Sequence, residues 1–199
     1  MSKDIYSALK DRRSIYAISK EAPISDEKIQ EAIEHAVNYS PSAFNSQTSR
    51  VLVLLGEQHD RLWDITKETL RKIVPAEGFA STEQKMELFK AGYGTVLFFE
   101  EQETVAALQK QFEAYSDNFP IWSEHSTGML QLAVWTILEA EGFGASLQHY
   151  NPLIDEAVAA EWNVPSSWKL TAQMPFGKPV AEAGEKQFNP ISDRVKVYK

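Results

Sequence analysis

Apolar residues recur at helical spacing between Pro23 and Pro41, at Ile29, Ala32, Ile33, Ala36 and Val37. That pattern predicts an amphipathic helix with one buried stripe. Ser25 is placed to cap its start, and Asp26 and Glu27 suit the positive end of its dipole. Upstream, Ile5, Ala8 and Leu9 predict a short helix over residues 3–12 that ends at an arginine pair. Residues 51–55 and 95–99 are continuous apolar runs, as expected of strands buried on both faces. Between them, Leu62, Ile65, Thr69 and Lys72 mark a weaker helical stripe that stops at Pro75. Ser81 with Gln84 has the spacing of a capping box for a helix reaching Ala91. Residues 102–115 are helical in pattern but polar, which places that helix at the periphery.

The longest predicted helix covers residues 123–141. Met129, Leu132, Ala133, Thr136, Ile137 and Ala140 form its apolar face, and Val134, Trp135 and Leu138 carry apolar surface further round. A helix apolar on most sides belongs in a core or at an oligomer interface. Gly142 ends it. Residues 145–150 read as a strand, and Asn151-Pro152 as a cap with proline at the first position of a helix reaching Trp162. Residues 169–174 read as another strand, 178–192 as irregular, and 194–198 alternate like a terminal strand. Strands interleaved with helices predict one α/β or α+β domain over residues 1–199. No linker, repeat or low-complexity tract interrupts it.

Composition narrows the chemistry. The chain has 199 residues, with 20 Lys and Arg against 28 Asp and Glu, a formal charge of −8. A chain of this size buries roughly 70% of its unfolded surface, so it needs no staple. The acidic balance argues against nucleic acid and anionic membranes as partners. There is no Cys, which removes thiol nucleophiles, disulfides and thiolate metal ligands. Any redox chemistry therefore belongs to a bound cofactor. Met1-Ser2-Lys3-Asp4 leads into an ordinary amphipathic segment rather than a signal pattern, and no apolar run is long enough to span a bilayer. A cytoplasmic location fits these features.

Within an acidic chain, Arg12-Arg13-Ser14 stands out. Two forked donors and a hydroxyl at a helix end suit a phosphate, although a solvated basic helix end would look the same. The loop from Ser40 to Gln47 (Ser-Pro-Ser-Ala-Phe-Asn-Ser-Gln) brings Asn45 and Gln47, which both donate and accept and so match the edge of an imide ring. Turns of any kind are also rich in these residues. Gly142-Phe143-Gly144 leads into Leu147-Gln148-His149-Tyr150, a strand end with exposed backbone donors. Taken alone, His149 reads more readily as a satisfied core histidine. Phe119 and Trp122, beside Pro120, are candidates to line a pocket, or simply to pack ahead of the long helix. HExxH, GxSxG, GxGxxG and GxxxxGK[ST] are all missing, and no histidine–carboxylate spacing suggests a metal site.

Taken in order, these segments resemble the nitroreductase family of FMN-dependent oxidoreductases, nearly end to end. The string Gly142-Phe143-Gly144-Ala145-Ser146-Leu147-Gln148-His149-Tyr150-Asn151-Pro152 and the start Ser126-Thr127-Gly128-Met129-Leu130-Gln131 are similar to the short branch related to the fatty-acid-repression proteins. The resemblance implies an α+β nitroreductase-like fold, with a central mixed or antiparallel sheet flanked by helices. It also implies an intertwined homodimer with the C-terminal segment exchanged onto the partner and FMN sites drawing on both chains. In that frame Arg12, Arg13, Ser14 and Tyr16 match the segment holding the phosphate and ribityl chain. Pro41, Ser42, Ala43, Asn45 and Gln47 match the loop reaching the isoalloxazine from the other subunit. Leu147, Gln148, His149 and Tyr150 match the stretch facing the flavin N5 edge, and Lys186 a late basic residue completing the phosphate site. Phe44, Phe119, Trp122 and His125 fall where the substrate pocket is expected. Four places depart from the family pattern. Tyr16 stands where many members have Arg or Lys, and Phe188 stands near a frequent Arg. Ala43 replaces a common Ser, and Thr48-Ser49 the usual Pro-Trp.

The implied activity is ping-pong transfer of hydride from NADH or NADPH through flavin N5 to nitroaromatic or quinone acceptors, with no side chain required as general acid. Two other readings remain open on sequence: a flavin-binding regulatory or sequestering protein with little turnover, and an interaction domain without cofactor.

Overall fold

A computed structural model describes residues 3–199, so Met1 and Ser2 of the N-terminal stretch lie outside the described residues. Helix α1 (Ile5–Asp11) is capped by Asp4, whose carboxylate accepts from the amides of Tyr6 and Ser7. A two-residue strand β1 (Ile18–Ser19) precedes α2 (Asp26–Tyr39), which buries Ile29, Ile33 and Ala36 as its periodicity predicts. Ser25 occupies the N-cap position of α2, but its side chain makes no capping bond. A 3-10 turn (Ala43–Asn45) leads to β2 (Ser49–Leu55), and α3 (Glu57–Arg71) follows. Helix α4 (Phe79–Lys90) begins before the predicted capping box. Buried Phe79 draws the chain into helix early, leaving Ser81 inside it with its hydroxyl on the Gly78 carbonyl.

Strand β3 (Gly94–Glu101) runs into α5 (Gln102–Gln111) and a 3-10 stretch (Glu113–Asn118). Helix α6 (Phe119–Ala140) starts earlier than its stripe suggests, because Pro120 fits the first turn, where its missing N–H costs nothing. Strand β4 (Gly144–Ala145), α7 (Asp155–Trp162) and β5 (Trp168–Pro179) complete the regular elements, apart from 3-10 turns at Ala76–Gly78 and Ile191–Asp193.

Three expectations fail around the C-terminal third. The strand expected over 145–150 shrinks to β4 plus an isolated bridge between Gln148 and Gln173. The Ser146 amide donates to the Pro175 carbonyl, but Pro175 has no N–H to return, so the ladder breaks there. Asn151-Pro152 does not open a helix. Its peptide is cis, residues 151–154 turn, and α7 begins at Asp155. Residues 194–198 form no strand within the chain and are exposed.

The sheet order is β1-β5-β3-β2, with β4 also on β5, and every strand pair is antiparallel. This is an α+β arrangement. Strand β3 is buried along its whole length and alternates between two cores. Val96 and Phe98 face α2 and α6, meeting Ile33, Val134 and Leu138. Leu97 and Phe99 face α3, α4 and α7, meeting Leu62, Trp63 and Val158.

Candidate functional site

Arg12 ends α1, and its guanidinium lies 4.4 Å above the ring of Trp135 on α6. Burial lowers its pKa, and Arg13 beside it adds repulsion in the same direction. Among the described residues no carboxylate or carbonyl contacts it. A partly desolvated, unneutralised cation next to a second cation has the electrostatics of an anion site. Arg13 donates from Nη2 to the Gly184 carbonyl at 2.7 Å, tying down the start of the C-terminal segment two residues before Lys186. Lys186 itself is exposed, its ammonium 5.2 Å from the ring of Phe188. Ser14 bridges in parallel to Ala145, and the Ile15 amide donates to the Ala145 carbonyl at 2.9 Å. Gly144 permits this approach: a Cβ there would stand 2.8 Å from Cγ2 of Ile15.

The stretch 147–150 continues alongside. Gln148 exchanges both backbone hydrogen bonds with Gln173, and the Tyr150 amide donates to Gln173 Oε1 at 2.7 Å. By strand alternation the amides of Leu147 and His149 point the other way, and neither finds an acceptor among the described residues. His149 is exposed, so the core-histidine reading fails for it. The buried histidine is His59, held between the Thr95 hydroxyl and the Lys90 carbonyl. The Tyr150 ring packs on Trp63 and Phe89, and Tyr16 packs on Phe89. Burial, with Tyr16 nearby, pushes the Tyr150 phenol up to about 12.

The loop from Ser40 to Gln47 is strained. Phe44, Asn45 and Gln47 have φ of 58°, 52° and 48°, in the left-handed region that side chains disfavour. The loop is pinned by Ser42, whose hydroxyl accepts from the Gln47 amide at 2.9 Å and whose carbonyl accepts from Asn45. Ala43 takes the Ser46 amide, and Arg50 binds the Gln47 carbonyl at 2.7 Å. Asn45 and Gln47 stay exposed. The loop carries the ring of Phe44 onto Phe112 (centroids 4.9 Å), Phe119 (5.3 Å), Trp122 (5.9 Å, stacked) and Tyr115 (6.0 Å), yet Phe44 keeps 52% of its surface exposed. His125 is exposed one helical turn beyond Trp122. Phe112 and Tyr115 were not singled out from sequence because their segment reads as polar and peripheral. Pro41 and Ser42 also edge a cleft of about 830 Å³ between α2 and β2.

The predicted residues therefore form two groups. One gathers Arg12, Arg13, Ser14, Tyr16 and 147–150, with Lys186 close by along the chain. The other gathers 41–47 with Phe119, Trp122 and His125. Their anchors on α6, Trp135 and Trp122, are thirteen residues apart, which is about 20 Å along the axis and about 140° around it. Within one chain these groups face different volumes.

The profile of the nitroreductase family matches residues 9–178, and the chain belongs to that family. It is 34% identical to HBN1 of Saccharomyces cerevisiae over 189 residues, covering 94% of this chain and 93% of that protein. It is 33% identical to nitroreductase FRM2 of the same yeast over 195 residues, covering 96% and 95%. Nitroreductase CinD from Lactococcus lactis, solved in complex with chloramphenicol, superposes with a TM-score of 0.90 at 49% identity, covering 98% of this chain and all of that one. CinD has also been solved with 4-nitrophenol.

Proposed function

We propose that the chain is an FMN-dependent oxidoreductase that works as a homodimer, taking electrons from NADH or NADPH and passing them to nitroaromatic or quinone acceptors. The observation that carries the reading is the Arg12 site, where a partly desolvated cation lies over Trp135 with no carboxylate partner among the described residues. Arg12, Arg13, Ser14 and Lys186 supply charge and donors suited to a phosphate monoester. The outward amides of Leu147 and His149 would donate to the heteroatom edge of a flat ring, and Asn45 and Gln47 to its imide edge. When bound, FMN supplies two-electron chemistry that no side chain of this cysteine-free protein offers. Donor and acceptor would take turns over the same face, with the Phe44 wall stacking on aromatic acceptors. The 4-nitrophenol complex of CinD supports this acceptor class.

The separation of the two groups supports the dimer, since a second copy would bring its own 41–47 loop to the Arg12 side. Exposed Ile121, Met129 and Leu132 make an apolar stripe on α6, and Gly128 between them leaves open space for close approach. Strand β2 ends the sheet with an unpaired edge. The cleft beside it is lined by Val51, Val53 and Leu55 and by the acids Asp26, Glu27 and Glu34. Residues 194–198 (Arg-Val-Lys-Val-Tyr) alternate basic and apolar side chains and are exposed, so they complement that cleft in both respects. Exchange of this segment between copies completes the reading. A cytoplasmic site of action accords with the absence of cysteine.

The test is steady-state assay of FMN-loaded protein with NADH or NADPH against 4-nitrophenol and a quinone. The reading predicts turnover with parallel double-reciprocal lines. Full flavin loading with no turnover would overturn it in favour of a flavin-binding regulator.

A further inference from the structure

The end of β3 carries two consecutive buried carboxylates, Glu100 and Glu101, after an apolar run. Buried carboxylates ordinarily take a cation. Among the described residues Glu100 has none. Its Oε1 accepts from the Ser49 hydroxyl, and its Oε2 accepts from the Ser123 hydroxyl at 2.6 Å. Ser49 opens β2 at the foot of the strained 41–47 loop. Ser123 stands beside Trp122 on α6, one turn after Phe119. The two oxygens of one fully buried side chain thus join the two elements that carry Phe44 and its stacking partners.

Glu101 extends the same junction. Its amide donates to the Thr48 carbonyl at 2.9 Å, and its carboxylate caps α5 through the amides of Glu103 and Thr104. Helix α5 leads directly to Phe112 and Tyr115. All three carriers of the aromatic cluster therefore converge on two residues of β3.

We propose that Glu100 is a positioning residue that sets the width and pitch of the aromatic wall by fixing the Phe44 loop against α6. The proposal rests on the acceptor-pocket reading above. A carboxylate that accepts from two hydroxyls on different elements defines their relative geometry through both of its oxygens, whatever its net contribution to stability. Ring stacking demands such definition, and a displacement of about 1 Å can cost about 100-fold in rate. Glutamine would keep the bridge, because a serine hydroxyl can donate to Oε1 and accept from Nε2. Leucine would cut both arms, and Ser123→Ala cuts the α6 arm alone.

The experiment compares wild type, Glu100→Gln, Glu100→Leu and Ser123→Ala as FMN-loaded protein. It reads Kd for 4-nitrophenol by calorimetry, and KM and kcat for 4-nitrophenol against ferricyanide, which needs no aromatic wall. The expected result is Kd and KM for 4-nitrophenol raised up to about 10-fold in Glu100→Leu and Ser123→Ala, the loss of one aromatic stacking contact. Ferricyanide reduction should stay within about 2-fold, and Glu100→Gln should stay close to wild type. Unchanged 4-nitrophenol affinity in a folded Ser123→Ala would overturn the proposal, as would parallel losses with both acceptors. Wild type that binds 4-nitrophenol but reduces nothing would defeat the oxidoreductase reading, while the calorimetric comparison would still decide the role of Glu100.

Discussion

Replacing Arg12 by Met should separate a ligand-binding cation from a merely structural one, because the two roles predict opposite signs. In the flavin-free protein the guanidinium is disfavoured: burial desolvates it and Arg13 repels it. Its stacking on Trp135 at 4.4 Å returns about 0.5–1 kcal/mol. Met keeps the apolar stem and removes both penalties. The flavin-free Arg12→Met protein should therefore melt at the same temperature as wild type or higher. With FMN present the balance reverses. A charge-assisted hydrogen bond to phosphate contributes about 1.5–3 kcal/mol, so Kd should rise about 10- to 150-fold. Flavin fluorescence quenching measures Kd, and paired thermal melts with and without saturating FMN measure both stabilities. The FMN-induced rise in Tm should shrink in the variant. If Arg12 only complements the helix dipole, the flavin-free variant should lose about 0.3–1 kcal/mol and FMN affinity should not change. That second pattern would refute the phosphate assignment.

Deleting residues 190–199 should give a monomer by light scattering that keeps no FMN through desalting, because the two groups would no longer meet; a flavin-bound dimer would contradict segment exchange. Burial pushes His59 down to about 4, whereas the unfolded chain titrates near 6.5. As pH falls the unfolded state takes the proton first, so stability is complete above about pH 6.5 and about 3 kcal/mol is lost by about pH 4. Urea titrations between pH 7 and 5 should show this slope in wild type and a flatter one in His59→Gln; equal slopes would mean that His59 protonates without penalty.

Helix α2 was legible from its period, strands β2 and β3 from their continuous apolar runs, and β5 over residues 169–174 of its length. Helix α6 was legible as a helix but not by face, since Met129 and Leu132 of its expected stripe are exposed while Leu130, Val134 and Leu138 enter the core. What was not legible depends on a distant neighbour. The break after β4 is caused by Pro175 on the facing strand. The early start of α4 is caused by the burial of Phe79. His59 looks ordinary in a weak helical stripe until Thr95 of β3 meets its ring. Arginines and glycines marked the Arg12 side because charge and conformational freedom show in composition. The aromatic cluster around Phe44 was only half visible. Phe119 and Trp122 stood out as aromatics beside Pro120 and Phe44 entered through the family resemblance, whereas Phe112 and Tyr115 became part of the cluster only through the tertiary path of α5. Left-handed backbone at Phe44 and Gln47 has no signature in those residue types, although Asn45 between them is of a type that tolerates it.

The most direct test of the oxidoreductase reading is the visible absorption spectrum of the purified protein after loading with FMN and removing the excess. The account predicts a retained flavin band that bleaches anaerobically with NADH or NADPH and returns on adding a quinone. A retained band that no nicotinamide donor bleaches would contradict the catalytic claim, and a colourless protein would contradict the cofactor site itself.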